Sequence, residues 1–108
     1  YGLDRELKQW FSRHYLGTDA DPEDPRISPL RAGNLHGLGP VYLATAGFDP
    51  LRDEGHAYAE KLQQDGVACE VICQGSMTHG FASFLGPIPQ AREAANHAAA
   101  ALRRVLLA

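Results

Sequence analysis

Residues 41–73 read VYLATAGFDPLRDEGHAYAEKLQQDGVACEVIC and predict a strand, a helix and a second strand. Residues 41–46 are nearly all apolar, which is typical of a strand buried on both faces of a parallel sheet. An apolar stripe at helical spacing predicts a helix from about residue 52 or 53 to residue 64. Residues 67–73 predict the second strand. Strands joined in this way are parallel, with a right-handed crossover in nearly all proteins, so the fold class is α/β.

Two more helices flank this unit. The first is predicted to end at Gly17, because apolar side chains recur at helical spacing before it, at Leu3, Leu7, Trp10, Phe11 and Tyr15. The last helix is predicted over residues 89–107, with small and apolar residues on one face. Two parallel strands need neighbours on both sides and cover on both faces. We therefore expect residues 1–108 to be one end of a larger doubly wound domain, with a βαβ unit and flanking helices of a mostly parallel sheet.

Composition excludes several classes of partner. The chain has 108 residues, of which 44% are apolar and 21% charged, as in ordinary soluble domains. A formal net charge of −3 argues against binding to nucleic acid or to an anionic membrane surface. No apolar stretch approaches the roughly twenty residues that cross a bilayer. We expect a cytoplasmic protein without a membrane span.

An acid and a base follow the two predicted strands. Asp49 comes just after the first strand, and His79 lies in the loop beyond the second. Loops that leave the carboxyl ends of neighbouring parallel strands meet at one edge of the sheet, so the two side chains are expected within hydrogen-bond reach. A carboxylate in that place would hold the imidazole of a general base in one tautomer. From these residues alone, a capping aspartate and a surface histidine are the commoner outcome.

Several short motifs together resemble one family. They are Asp-Pro-Leu-Arg-Asp-Glu-Gly at 49–55, Gly-Val at 66–67, Gly-x-x-x-His-Gly-Phe at 75–81 and Asp-Pro-Arg-Ile-Ser-Pro-Leu at 24–30. This combination is similar to the carboxyl-terminal part of the hormone-sensitive-lipase-like esterases, a branch of the α/β-hydrolase fold. The resemblance implies that Asp49 is the acid and His79 the base of a serine esterase triad, which follow the serine in chain order in this fold. It implies a carboxylic ester as substrate and no cofactor.

The serine of such a triad is not recognisable in these residues. The family carries it in Gly-Asp-Ser-Ala-Gly and supplies oxyanion donors from His-Gly-Gly, and neither motif occurs here. None of the four serines, at 12, 28, 76 and 83, has the Gly-x-Ser-x-Gly setting, and Ser76 is expected to be a loop hydrogen-bonding residue. The chain also begins with Tyr instead of Met. We therefore expect a fragment of a single catalytic domain, inactive alone, that needs its missing amino-terminal part or self-association.

Other candidate residues have a structural interpretation as well as a functional one. Asp53 could replace Asp49 as the acid, but its position suits a helix cap or first turn. Leu51 and Phe81 could bind substrate near the histidine, and simple packing explains them equally well. The remaining histidines lack metal-ligand spacing and are expected in solvent or loop roles, so no metal site is predicted. Cys69 and Cys73 are expected to be buried free thiols.

A second function class stays open at this point. The same residues could form a non-catalytic α/β module that keeps the hydrolase framework for binding or assembly. A Gly-x-Ser-x-Gly turn encoded upstream would favour the enzyme, whereas a reading frame that begins near Tyr1 would favour the module.

Overall fold

A computed structural model describes residues 2–108. Three helices and two strands follow one another in the order α1 (Arg5–Leu16), β1 (Val41–Phe48), α2 (Arg52–Gln64), β2 (Cys69–Thr78) and α3 (Pro89–Leu106). Two short 3-10 turns, Pro29–Arg31 and Phe81–Ser83, lie in the connections. The predicted order of helices and strands is confirmed.

The two strands form a parallel pair. Val41 lies opposite Cys69, and the register continues without a break to Ala46 opposite Gln74. The next paired position is Phe48 with Thr78, so β2 carries two more residues than β1 over this interval. Such an irregularity bends the strand that carries the extra residues and increases its local twist.

The predicted limits of the second strand, 67–73, are wrong at both ends. Val67 is buried against Leu35 and Leu62 before β2 begins, because Gly66 turns the chain with a φ of 77° directly after α2. At the other end, pairing with β1 carries β2 on to Thr78. Residues 74–77 include Gly and Ser, which have low intrinsic strand propensity, so only the tertiary partner extends the strand.

Helix α1 ends at Gly17 as predicted, but it begins after Asp4, so Leu3 of the predicted stripe precedes the helix. The Asp4 carboxylate accepts a hydrogen bond from the Leu7 N–H at 2.8 Å, and Gly17 terminates the helix with a φ of 66°. Its apolar stripe has little cover, however. Trp10 and Phe11 are 46% and 53% exposed, and no residue of α1 is buried among the described residues.

Helix α2 packs closely on β1. A Cβ atom placed on Gly55 would lie 2.8 Å from Cγ2 of Thr45, so glycine permits this approach of helix to strand. Ala59 and Leu62, which belong to the apolar stripe of this helix, are buried. Leu62 packs with Leu35 and Val67 in the small core, and Tyr58 lies beside them. The core therefore forms where α2 meets the start of the sheet.

The Gly-rich segment 33–39 forms a turn that Asp65 holds. The Leu35 N–H donates to the Asp65 carboxylate at 2.8 Å, and Nδ1 of His36 lies 2.6 Å from the backbone carbonyl oxygen of Asp65. Asp65 thereby joins the end of α2 to the segment that precedes β1.

Much apolar surface remains uncovered. The expectation that β1 is buried on both faces is wrong for the described chain, since only Thr45 and Ala46 of this strand are buried. Leu102 and Leu106 of α3 are 60% and 71% exposed. The physical reason is that a sheet of two strands offers these faces no further neighbours. No helix within residues 2–108 has the length and apolar character needed to span a membrane.

Candidate active site

Asp49 lies in the short connection between β1 and α2. Its Oδ1 atom accepts a hydrogen bond from the N–H of Leu51 at 2.9 Å, which is an Asx turn that fixes the carboxylate against its own backbone. The side chain is only 11% exposed. One carboxylate oxygen is thus satisfied locally, and the other, Oδ2, is directed away from this turn.

His79 follows the last residue of β2. Gly80 turns the chain with a φ of 75°, a left-handed conformation that side chains disfavour, and the 3-10 turn Phe81–Ser83 comes next. Nδ1 of His79 lies 2.8 Å from Oδ2 of Asp49, and the imidazole is 44% exposed. The expected meeting of the two side chains is confirmed, although their catalytic roles stay a prediction.

This contact selects a tautomer of His79. An ionised carboxylate only accepts hydrogen bonds, so the neutral ring must carry its hydrogen on Nδ1 and donate it to Asp49. Nε2 then keeps its lone pair and can accept a proton. A histidine held in this way can act as a general base, and the carboxylate would stabilise the imidazolium that forms.

The sheet irregularity lies directly behind this pair. A Cβ atom on Gly47 would collide with the backbone of Gly75, so the two strands can approach here only because position 47 is glycine. Asp49 follows Gly47 by two residues, and the extra residues of β2 lead into Thr78 and His79. The strand bulge therefore determines where the histidine emerges relative to the acid.

A cleft of about 540 Å³ opens beside the histidine, lined by Gly2, Leu3, Leu7, Lys8, Phe11, Ser12, Leu51 and His79. Leu51 therefore lies where a substrate contact was predicted. Phe81 is half-buried at the start of its 3-10 turn and is not part of this lining. The apolar residues of α1 in this lining were not predicted from the sequence as part of the site. Their helical periodicity showed one apolar face but not what that face would contact.

Asp53 does not contact the histidine. It lies in the first turn of α2, which is one of the two positions predicted for it. Its carboxylate accepts a hydrogen bond from Nε of Arg52 at 2.8 Å. This hydrogen bond with the guanidinium lowers the pKa of Asp53. Of the two candidate acids, Asp49 is the one that the fold brings to His79.

Other candidate residues fall into structural positions. Ser76 belongs to β2, so the expectation of a loop position is wrong, and its cause is the extension of that strand. His56 is half-buried on α2 with Nε2 at 3.1 Å from Oγ1 of Thr45, which differs from the solvent or loop role expected. Cys69 is half-buried and Cys73 exposed, because this part of the sheet lacks cover. Burial raises the pKa of the Cys69 thiol.

Comparison with known proteins identifies the family. Residues 1–83 match the model of a family described as alpha/beta hydrolase fold. Esterase LipI of Mycobacterium tuberculosis is 45% identical over 106 residues, which are 96% of this chain and 33% of the relative. Carboxylic ester hydrolase LipN of the same organism is 55% identical over 73 residues, 67% of this chain and 19% of that protein.

Solved structures agree with this assignment. The thermostable carboxylesterase EstE1, cloned from a metagenomic library, superposes with a TM-score of 0.92 at 42% identity, over 97% of this chain and 35% of that one. An esterase of Pyrobaculum calidifontis gives a TM-score of 0.91 at 36% identity, over 99% and 34% of the two chains. The chain belongs to the α/β-hydrolase fold family, and its likeness to the hormone-sensitive-lipase-like esterases is confirmed. It spans about a third of the length of LipI and of the two solved structures, and its match covers 19% of LipN.

Proposed function

We propose that residues 1–108 are the carboxyl-terminal part of the single catalytic domain of a serine carboxylesterase. In this proposal Asp49 and His79 are the acid and base of the triad, and the serine lies in a part of the domain outside these residues. The hydrogen bond of 2.8 Å between the two side chains carries the proposal. The esterase names of the relatives and the shared fold support it.

In this proposal, each of the two groups has a step in acyl transfer. Nε2 of His79 accepts the proton of the serine hydroxyl as the serine oxygen attacks the ester carbonyl carbon. Asp49 stays ionised and stabilises the imidazolium through Nδ1. The imidazolium then gives its proton to the leaving alcohol as the ester bond breaks and an acyl-enzyme forms. In the second half, His79 takes a proton from a water molecule as the water oxygen attacks the acyl carbon. It then gives the proton to the serine oxygen as the bond between the acyl carbon and the serine oxygen breaks and the carboxylic acid leaves.

The substrate class follows from this chemistry and from the cleft beside it. An acyl or alcohol group of a carboxylic ester would lie against Leu51 and the apolar residues of α1. Phe81 stays a proposed substrate contact, because it follows His79 by two residues, although it lies outside the cleft that the described residues form. No metal or cofactor is needed for acyl transfer of this kind. The cytoplasmic location is likewise a prediction.

An assay of two proteins tests the proposal. The 108-residue chain alone, and the same chain joined to the upstream part of its gene, are purified and supplied with short p-nitrophenyl esters. We expect hydrolysis by the longer protein only, and its loss in His79→Ala. Activity of the 108-residue chain that disappears in His79→Ala would contradict the proposed division of the site. A longer protein that hydrolyses no ester would instead favour a non-catalytic binding or assembly module.

A further inference from the structure

The connection that carries Asp49 is closed at its base by one side chain. Arg52, the first residue of α2, directs Nη1 back to the carbonyl oxygen of Gly47 at 3.1 Å. Its own N–H donates to the Asp49 carbonyl at 3.1 Å, and the Leu51 N–H donates to the Asp49 carboxylate at 2.9 Å. Three hydrogen bonds thus hold the loop 47–52 around the aspartate. The bond from the Arg52 side chain joins the residues farthest apart in this loop, Arg52 and Gly47.

The guanidinium is itself held in orientation. Nε of Arg52 donates to Oδ1 of Asp53 at 2.8 Å, while Nη1 makes the bond to Gly47. A planar guanidinium with donors fixed in a fork can bridge two acceptors in this way with little additional ordering. The Arg52 side chain is 45% exposed, so the pair with Asp53 alone adds little stability. The hydrogen bond from Arg52 to the Gly47 carbonyl matters more, because it sets the geometry of the loop.

Gly47 packs tightly against the second strand. Its backbone lies against that of Gly75 without space for a Cβ atom, at the irregularity that also leads to His79. The hydrogen bond to the Gly47 carbonyl therefore ties the start of α2 to the part of the sheet that leads to His79. Asp49 lies between Gly47 and α2, so its position depends on the same contact. Displacement of the loop would change the distance between Asp49 and His79 directly.

We propose that Arg52 is a positioning residue, which clamps the loop 47–52 so that the Asp49 carboxylate meets Nδ1 of His79. Arg52 does not touch the reacting atoms and acts only through Asp49. The inference rests on the proposed esterase function, because its kinetic consequence needs the complete triad.

Kinetics of variants in the complete esterase test this role. In Arg52→Met we expect kcat to fall roughly 10- to 100-fold with KM within about twofold, because small misplacement of a catalytic group costs rate more than binding. Arg52→Lys keeps one donor that can reach Gly47, so it should recover part of the loss. Arg26→Met removes an arginine that is paired with Asp24 in another loop and should keep the wild-type kcat.

A spectroscopic signal separates positioning from a general loss of stability. The proton NMR resonance of the hydrogen-bonded Nδ1–H of His79 should weaken or disappear in Arg52→Met while thermal unfolding shows a folded protein. The inference is overturned if kcat and this resonance remain as in wild type. It is also overturned if kcat falls only in proportion to a lower Tm while the resonance persists. A wild-type protein without esterase activity would refute the proposed function instead, and the resonance would still report on Arg52.

Discussion

At the scale of single residues, Asp49 and Asp24 form the same local motif in different surroundings. Each aspartate accepts a hydrogen bond at Oδ1 from the backbone N–H two residues later, at 2.9 Å for both. Asp24 then pairs with Arg26, and the hydrogen bonds from Arg26 lower the pKa of Asp24 to about 2. Asp49 instead presents Oδ2 to His79. The motif is a local property of aspartate, whereas the partner on the second oxygen defines the candidate site.

This comparison supplies a matched pair of substitutions. In the proposed complete esterase, Asp49→Asn should lower kcat by roughly 10³- to 10⁴-fold, because an amide can present a donor to Nδ1 and so favour the wrong tautomer of His79. Asp24→Asn changes the same atoms in the same type of turn and should leave kcat within about twofold of wild type. Steady-state hydrolysis of a p-nitrophenyl ester measures both. Equal effects of the two substitutions would remove Asp49 from the proposed triad.

At the scale of the elements, the strand irregularity and the site are one feature. The pairing of β1 and β2 is regular up to Ala46 and resumes at Phe48 opposite Thr78. Between these points Gly47 lies against Gly75. Asp49 and His79 therefore both follow the same distorted segment of the strand pair. Local sequence patterns do not reveal this distortion.

Gly47→Ala tests the importance of this approach. The new methyl group would meet the Gly75 backbone, which cannot move without disturbing the strand pair, so we expect a loss of roughly 1–3 kcal/mol in the free energy of unfolding. Gly86→Ala is the control, because nothing lies within 4 Å of the position that its Cβ would take. Urea denaturation of the complete protein measures both. An unchanged midpoint for Gly47→Ala would show that the strands separate here without cost.

At the scale of the whole molecule, the described chain has more apolar surface than a two-strand sheet can cover. Helix α3 presents Leu102 and Leu106 to solvent, and Val71 of β2 is also exposed. Exposed apolar patches and unpaired strand edges favour association. This surface agrees with the proposal that residues 1–108 complete a larger domain, since its remaining strands and helices could cover it.

We therefore expect the 108-residue chain alone to self-associate in a concentration-dependent way in sedimentation velocity experiments. The double substitution Leu102→Glu and Leu106→Glu should reduce this association, because burying these carboxylates would be costly. Gln90→Glu with Asn96→Glu adds the same charge to exposed polar positions of α3 and should leave the association unchanged. A stable monomer of the unsubstituted chain that unfolds cooperatively would contradict this expectation.

Local patterns in the sequence were sufficient for the order of the elements and for the limits of α2. Helix α2 has the predicted limits, because apolar periodicity and the Gly66 stop depend on neighbours within a few residues. The motifs around Asp49 and His79 were likewise sufficient to indicate the family and the two candidate catalytic residues. They could also place both at one edge of a parallel sheet, because that edge follows from the βαβ topology.

The tertiary structure alone determined how these parts meet. Pairing with β1 extended β2 to Thr78, and the contact of Gly47 with Gly75 set the irregularity that brings His79 within 2.8 Å of Asp49. It also brought Leu7 and Phe11 of α1 to the cleft beside the histidine. The βαβ topology predicted that Asp49 and His79 meet, but the strand irregularity and the position of α1 depend on how the elements pack, which local patterns do not encode.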